Sequence, residues 1–556
     1  MRNSPGPLAL LAFSLLVSCH EPTRTGPADG TSSFAVSYLC GNDFAIQNET
    51  GAAITVRYAV VGTSEAGELR LADSTTRLTT LRHGPLQVSY GDEQGSPVAN
   101  TGGPCAAPAW LDQPAAIRGE WSAPFPWPIV AVHLHLLPDG RVLSWGRIGD
   151  PQVWEPGSGR FTAVPVATMV FCSGHTFLPD GRLWVTGGHL DDLRGLPDVN
   201  VFDPASSTWA RQASMNRARW YPTSTTLAGG EVLTVGGTDE RGVQVETPEV
   251  WNGSTWRPLS GAAQVLPYYP RNFVAPNGMV FYAGELQETG YLDPSGSGRW
   301  TPFVQSNYGR RDYGSAVMYS PGKVLIVGGS DPPDGPPTNT AEVIDLLQPA
   351  PSWRYTQSMT YSRRQLNATL LLDGEVLVTG GTSSPGFSDP AGAVHAAELW
   401  NPLTEHWSLL ASGQVDRVYH STTILLPDGR VLHAGSGDGP GLPRELNAEL
   451  FTPPYLFWGD RPVSTSGPDA IGYAEDFSVV TPDAARVTRA TLVRLGSVTH
   501  GFDESQRVIE LGFRRIAGGL TVTAPASGAV APPGPYMIAL INSAGVPSIA
   551  RMLLLR

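Results

Sequence analysis

The middle of this chain repeats itself, and the repeat restricts the fold more than any bulk property does. A short apolar run leads into a Pro-Asp-Gly or similar turn. A second apolar run follows and ends at paired glycines or a close equivalent. The copies run Val132–Gly140 to Gly146, Phe177–Gly181 to Gly188, Thr223–Gly230 to Gly237, Phe273–Gly278 to Gly284, Ala316–Tyr319 to Gly329, Ala368–Gly374 to Gly381 and Ile424–Gly429 to Gly435. Asp-Gly and Asn-Gly between β-rich runs signal hairpins, because those residues accept the positive φ a tight turn needs. Tryptophans recur between copies at Trp209, Trp251, Trp256, Trp400 and Trp407. One such unit cannot bury its own apolar face, but stacked units can. The pattern predicts an all-β protein whose centre, residues 116–452, is a seven-bladed β-propeller of four-stranded blades.

The repeat length of about 50 residues and the Gly-Gly ending are those of kelch repeats. Composition agrees: 63 glycines and 50 prolines in 556 residues, with only 16% charged, suit short strands and turns rather than long helices. Residues 33–105 lack the repeat and alternate apolar with polar, as in Ile54-Thr55-Val56-Arg57-Tyr58, which predicts a small β-domain. After Phe451-Thr452 the repeat stops, and the strand-like runs of 453–556 are spaced like an immunoglobulin-like β-sandwich. The net charge of −13 argues against nucleic acid or an anionic membrane surface as a partner.

The N-terminus reads as an export signal: Arg2, then a short apolar run from Leu8 to Val17 that is too short to span a bilayer. It ends in Leu16-Val17-Ser18-Cys19, which resembles a bacterial lipobox, and 20–32 reads as a flexible tether. The expectation is an exported cell-envelope or cell-surface lipoprotein, a monomer that touches membrane only through a lipid on Cys19, and otherwise a secreted protein. Cys40 and Cys105 bracket one compact segment and are a candidate disulfide. Cys172 is then left over, and a lone cysteine is ordinarily a buried inert thiol.

Chemistry concentrates in Arg417-Val418-Tyr419-His420-Ser421. Neighbours on a strand face opposite sides. For Tyr419 and His420 to serve one site, they must sit at an irregular strand entrance. This segment, Phe171-Cys172-Ser173-Gly174, Ala218-Arg219-Trp220-Tyr221-Pro222-Thr223 and Val498-Thr499-His500 with Gln506-Arg507 together resemble the galactose oxidase and glyoxal oxidase family of copper-radical oxidases. The resemblance covers 116–556. It implies one copper ion held by Tyr221, Tyr419, His420 and His500, with Tyr221, Cys172 and Tyr419 catalytic. Cys172 and Tyr221 would form a thioether radical cofactor from the chain itself, and Tyr419 would be the general base. Two imidazoles and two phenol oxygens suit tetragonal Cu(II). Copper takes one electron per turn while the oxidation removes two, so a second one-electron store is needed.

The implied reaction is oxidation of a small aldehyde, as its hydrate, or a primary alcohol by O2, releasing H2O2. The alternative is a non-catalytic kelch propeller that binds glycan or protein at the cell surface. Galactose oxidase has a tryptophan stacked on the cross-linked tyrosine, two residues beyond the Gly-Gly that follows it; here that position is Asp239. The departure disfavours strict galactose oxidase activity and makes Trp220 the candidate stacking residue, with ordinary packing as its other reading. Arg271 is a candidate for a substrate hydroxyl and Phe387 for an apolar wall. His133 and His135 alternate on one strand face without supporting context for a metal pair, and His175, His189 and His433 read as structural.

Overall fold

The computed structural model describes residues 113–556 apart from 440 and 505, and most of 33–98 apart from short stretches. Cys19 and Cys105 lie outside the described residues, and with them the expected lipid anchor and the expected Cys40–Cys105 disulfide. The chain divides into two compact units, 1–113 with 542–546 and 114–541 with 547–556. Among the described residues no helix is long and apolar enough to cross a membrane.

In the first unit two antiparallel sheets enclose a small core. One holds Phe34–Cys40, Asp43–Asn48 and Thr75–Thr79; the other holds Ala66–Leu71, Ile54–Val60, Leu86–Tyr90 and Glu93–Gln94. The alternation read in 54–58 turns Ile54 and Val56 inward, where they pack with Phe44, Ile46, Leu86 and Val88.

The second unit holds seven successive sheets, each with four strands that follow one another outward from an innermost strand. The innermost strands are His133–Leu136, Gly174–Phe177, Thr223–Thr226, Asn272–Val274, Ser315–Ser320, Asn367–Leu370 and Thr422–Leu425. Several carry small polar residues, which bond to the neighbouring sheet: Thr176 to Thr226 at 2.9 Å between innermost strands, and Ser224 and Thr423 to Thr186 and Thr379 on the second strands next door, at 2.6 and 2.9 Å. The seventh sheet takes its fourth strand from the start of the unit, with Trp121 paired to Phe451 and Glu120 to Thr452. Residues far apart in sequence thereby close the array.

Four sheets share one buried clamp that the repeat pattern did not reveal. Arg219, Arg311, Arg363 and Arg417 each donate from Nη1 to a glycine carbonyl at the second strand's end (Gly236, Gly328, Gly380, Gly435), over 2.7–3.1 Å. Each also donates from Nη2 to a buried glutamate on the third strand: Glu249, Glu342, Glu398 or Glu449, over 2.6–3.3 Å. The glutamates in turn accept backbone N–H groups from the loop before each arginine, as Glu398 does from Thr360 and Tyr361. The paired glycines are needed at this approach. Gly380 and Gly381 have φ of 62° and 87°, and a Cβ would lie 2.6 Å from the Arg417 carbonyl and 2.5 Å from that of Arg364.

The C-terminal part forms a sandwich. Ala470–Ile471, Arg551–Leu555, Gly534–Asn542, Val487–Arg494 and Val508–Leu511 make one sheet, and Asp476–Val480, Gly519–Thr523 and Phe513–Ile516 the other. Ile471, Leu492, Leu520, Val522, Tyr536 and Leu540 pack between them. One segment leaves this sandwich. Ser497–Thr499 pairs with the first innermost strand, Thr499 opposite His133 and Ser497 opposite His135. That pairing carries His500 in among the seven sheets.

Candidate metal centre

Cys172, Tyr221, Tyr313, Gln365 and His420 each stand two residues before an innermost strand, and each has a positive φ: 63°, 62°, 49°, 58° and 68°. Tyr269, three residues before its strand, has φ 47°, and His500 has φ 48°. Left-handed backbone is uncommon for residues with a Cβ, and surrounding contacts must hold it. Here it breaks the strand alternation at the same register in successive sheets and turns those side chains toward one another. Tyr419 and His420 consequently lie face to face, ring centroids 3.7 Å apart. This is the irregular strand entrance expected from their adjacency.

The structure brings Cys172, Tyr221, Tyr419, His420 and His500 into one buried cluster. The Tyr221 and Tyr419 hydroxyls are 2.6 Å apart, and the Tyr221 hydroxyl is 2.7 Å from His500 Nε2. The His420 and His500 rings are 4.7 Å apart at 89°. Hydrogen bonds assign both imidazole tautomers. Gly437 O can only accept, so His420 Nδ1, 2.7 Å away, carries the proton and Nε2 the lone pair. That Nε2 is buried without a partner. Thr499 donates its hydroxyl proton to Val132 O, so it accepts from His500 Nδ1 at 2.7 Å, and His500 Nε2 also presents a lone pair.

Burial holds His420 near about 3 and lowers His500 well below the usual histidine range, so both stay neutral. Burial, then the neighbouring Cys172 and Tyr419, pushes the Tyr221 phenol well up, and burial does the same to Tyr419. Two phenols that resist ionisation, one unpartnered imidazole lone pair on His420 and a second on His500 that meets only the Tyr221 hydroxyl are a donor set short of one cation. Among the described residues no group of three or more His, Cys, Asp or Glu side chains is arranged to hold a metal ion, so a metal here draws on the phenols as well. The set fits copper, whose tetragonal Cu(II) state accepts imidazole and phenolate together.

Cys172 is free and buried. Burial pushes its thiol well up, against a contact with the Tyr221 hydroxyl that pulls it down. Tyr221 N donates to Cys172 O at 2.9 Å. The Trp220 ring stacks on Tyr221 with centroids 3.6 Å apart and planes within 3°, and its Nε1 donates to His189 Nδ1 at 3.2 Å. Asp239 instead closes a turn, accepting from the Arg241 and Val243 amides and from Arg217 Nη2 at 2.7 Å. Burial alone would raise its carboxyl; these donors outweigh it and hold Asp239 at about 2.

A cavity of about 160 Å³ opens beside Tyr221 and His500, walled by Gln244, Tyr268, Arg271, Glu285, Arg310 and Tyr313. Arg271 is buried. Its Nη2 donates to the Arg311 and Gly314 carbonyls at 3.1 and 2.6 Å, and its Nη1 has no partner. Phe387 is 44% exposed and turns its ring toward Tyr419, centroids 4.7 Å apart. Arg364 and Gln365 grip its carbonyl at 3.2 and 2.6 Å. Sequence reasoning missed Tyr313, which meets Tyr419, and Tyr269, which stacks on His500 at 4.8 Å. Tyr313 stands at the register already used by Cys172, Tyr221 and His420, and Tyr269 one residue earlier; that register was the available signal.

Residues 461–555 match the galactose oxidase-like early set domain and 333–455 the glyoxal oxidase N-terminus. A galactose oxidase of Gibberella zeae is 30% identical over 536 residues, spanning 86% of this chain and 77% of that protein. An aldehyde oxidase GLOX of Vitis pseudoreticulata is 29% identical over 476 residues, spanning 75% and 88%. The solved structure of a fungal alcohol oxidase of the AA5 family in complex with copper superposes with TM-score 0.73 at 25% identity, over 79% of this chain and 99% of that one. With two phenols and two neutral imidazoles gathered at its centre, and with this extent of likeness, the chain belongs to the galactose oxidase and glyoxal oxidase family of copper-radical oxidases.

Proposed function

We propose that this protein oxidises a small aldehyde, as its hydrate, or a primary alcohol with O2, yielding the carbonyl or acid product and H2O2. Tyr221, Tyr419, His420 and His500 hold one copper ion in this reading, and the seven successive sheets are the seven blades of the expected propeller. What carries the reading is the unpartnered Nε2 of His420 beside the Tyr221, Tyr419 and His500 cluster. A binding propeller has no need of a buried lone pair left without a proton, which costs desolvation for nothing.

Copper, when bound, supplies a Lewis acid and a one-electron acceptor. Tyr419 accepts the substrate hydroxyl proton as general base. The Cys172–Tyr221 thioether stores the second oxidising equivalent, because sulfur spreads the unpaired electron. Trp220, flat on Tyr221, shields that ring from water. Arg271 Nη1 donates to a substrate oxygen in the adjoining cavity, and Phe387 forms an apolar wall beside Tyr419. The small cavity and the absence of a tryptophan at position 239 favour a glyoxal oxidase-like substrate over a hexose. The sequence Leu16-Val17-Ser18-Cys19 supports export as a lipid-anchored, monomeric envelope protein, and Cys19→Ser should release it from membranes.

The test is copper loading of purified protein followed by peroxide detection across a panel of aldehydes and primary alcohols. Peroxide from small aldehydes or primary alcohols, dependent on copper, is the expected result. Stoichiometric copper binding with no peroxide from any of them would refute it.

A further inference from the structure

Beneath Cys172 and Tyr221 lies a set of buried groups that the proposed chemistry does not use. Glu504, on the segment that follows His500, accepts two backbone N–H groups with a single carboxyl oxygen: His175 N at 3.2 Å and Ser224 N at 2.6 Å. His175 is three residues after Cys172, and Ser224 is three residues after Tyr221. The same oxygen therefore ties the two strands at the same register, one turn of chain below the pair of side chains that must meet.

A second tie acts on Cys172 itself. Its amide donates to His133 Nε2 at 3.1 Å. An amide can only donate, so His133 carries its proton on Nδ1 and gives it to His175 Nε2 at 3.0 Å. His175 in turn donates from Nδ1 to Ser497 Oγ at 2.7 Å. The chain has one direction throughout. It runs from the strained cysteine to Ser497, on the strand that carries His500. Trp145 stacks on His133, ring planes 15° apart, and holds it in place. His133 and His175 thus spend both ring nitrogens on one another, on the Cys172 amide and on Ser497, while His135 meets Ser497 Oγ through Nδ1 at 3.0 Å and keeps its Nε2 buried without a partner.

We propose that Glu504 and His133 are positioning residues that preset Cys172 against Tyr221 for thioether formation. The inference rests on the oxidase reading above. In that step the Cys172 S–H and one ring C–H beside the Tyr221 hydroxyl break and a C–S bond forms. The two electrons and two protons released go to O2, giving H2O2, a transfer that copper held by Tyr221, Tyr419, His420 and His500 would mediate. Nothing in Glu504 or His133 reacts. Their work is geometric: a left-handed cysteine backbone has no intrinsic reason to stay where the thiol meets the ring, and a 1 Å misplacement can cost on the order of 10²-fold in rate.

Full-length copper-free protein would be prepared as wild type, Glu504→Met, Glu504→Gln and His133→Phe. One equivalent of copper and air start the reaction. Formation of the fused peptide containing residues 172 and 221, lighter by two hydrogens, is followed by mass spectrometry, and copper affinity is measured separately under anaerobic conditions. Glu504→Met and His133→Phe should slow cross-linking by on the order of 10²-fold with copper affinity kept. Glu504→Gln, whose amide oxygen still accepts both N–H groups, should restore the wild-type rate. His133→Phe keeps the ring against Trp145, so it reads the lost acceptor even if Glu504→Met folds poorly. Wild-type cross-linking rates in both disruptive variants would overturn the proposal, as would copper affinity that falls in step with the rate, because the effect would then run through His500. A wild type that binds copper and never forms the fused peptide would instead overturn the oxidase reading beneath it.

Discussion

Trp220 lies flat on Tyr221, centroids 3.6 Å apart and planes within 3°, although the two are consecutive in the chain. Consecutive strand residues face apart; the positive φ of Tyr221 is what folds one ring onto the other. An offset or stacked aromatic pair is worth about 0.5–1.5 kcal/mol beyond its buried area. In the chemistry proposed above, Trp220→Ala should therefore shorten the lifetime of the oxidised form by up to about tenfold while leaving copper loading intact. Decay of the radical signal in electron paramagnetic resonance measures this, and an unchanged lifetime would mean that Trp220 only packs.

Tyr419→Phe removes one hydroxyl from a site that keeps His420, His500 and Tyr221. Loss of a general base typically costs about 10²–10⁴-fold, so peroxide release should fall by that factor with copper still bound. Full activity in this variant rules out the role given to Tyr419.

His500 comes from the segment 497–504, which reaches from the C-terminal sandwich in among the sheets. Copper held there should stabilise the whole unit by mass action, by about 2.7 kcal/mol when copper is at 100 times Kd. The melting temperature of wild-type protein should rise on adding copper, and that of His500→Ala should rise far less. Equal shifts in calorimetry would remove His500 from the ligand set.

Burial holds His175 at about 3 in the folded protein, below the ordinary histidine value near 6.5. The unfolded chain binds the extra proton first, so stability is complete above about pH 6.5 and falls as pH drops toward about 3. At pH 4.5 the loss from this one residue is on the order of 3 kcal/mol. Denaturant titrations of metal-free protein should show that decline, shared with the other buried histidines, and His175→Phe should reduce it by that one-residue amount. A slope unaltered by the substitution would show that His175 protonates freely in the fold.

Glu398 is fully buried, pairs with Arg363 at 2.6 Å and accepts the Thr360 and Tyr361 amides. Replacing it with leucine strands a buried guanidinium and two N–H groups, which should cost about 3–5 kcal/mol. The midpoint of chemical unfolding reports it; a change under about 1 kcal/mol would show that water reaches Arg363.

Hairpins, blade periodicity and the alternation of the first β-domain were legible in the chain because they depend on neighbours a few residues apart. Asp428-Gly429 makes its turn whatever lies elsewhere, and Gly380-Gly381 announces a strand end. Cys172, Tyr221, Tyr419, His420 and His500 were legible through segment resemblance, and Trp220 only as one of two readings. What the local sequence could not carry was the left-handed backbone at Cys172, Tyr221, Tyr313, Gln365 and His420. Side chains with a Cβ adopt it only when contacts from other strands hold them there. Nor could it carry the meeting of Tyr221 with His500, 279 residues away, which requires both a closed array of sheets and the segment 497–504 inserted among them. The residue types and their local turns belong to the sequence; their convergence on one buried point belongs to the tertiary structure, because long-range pairing alone determines which distant backbone is near enough to hold each strained residue in place.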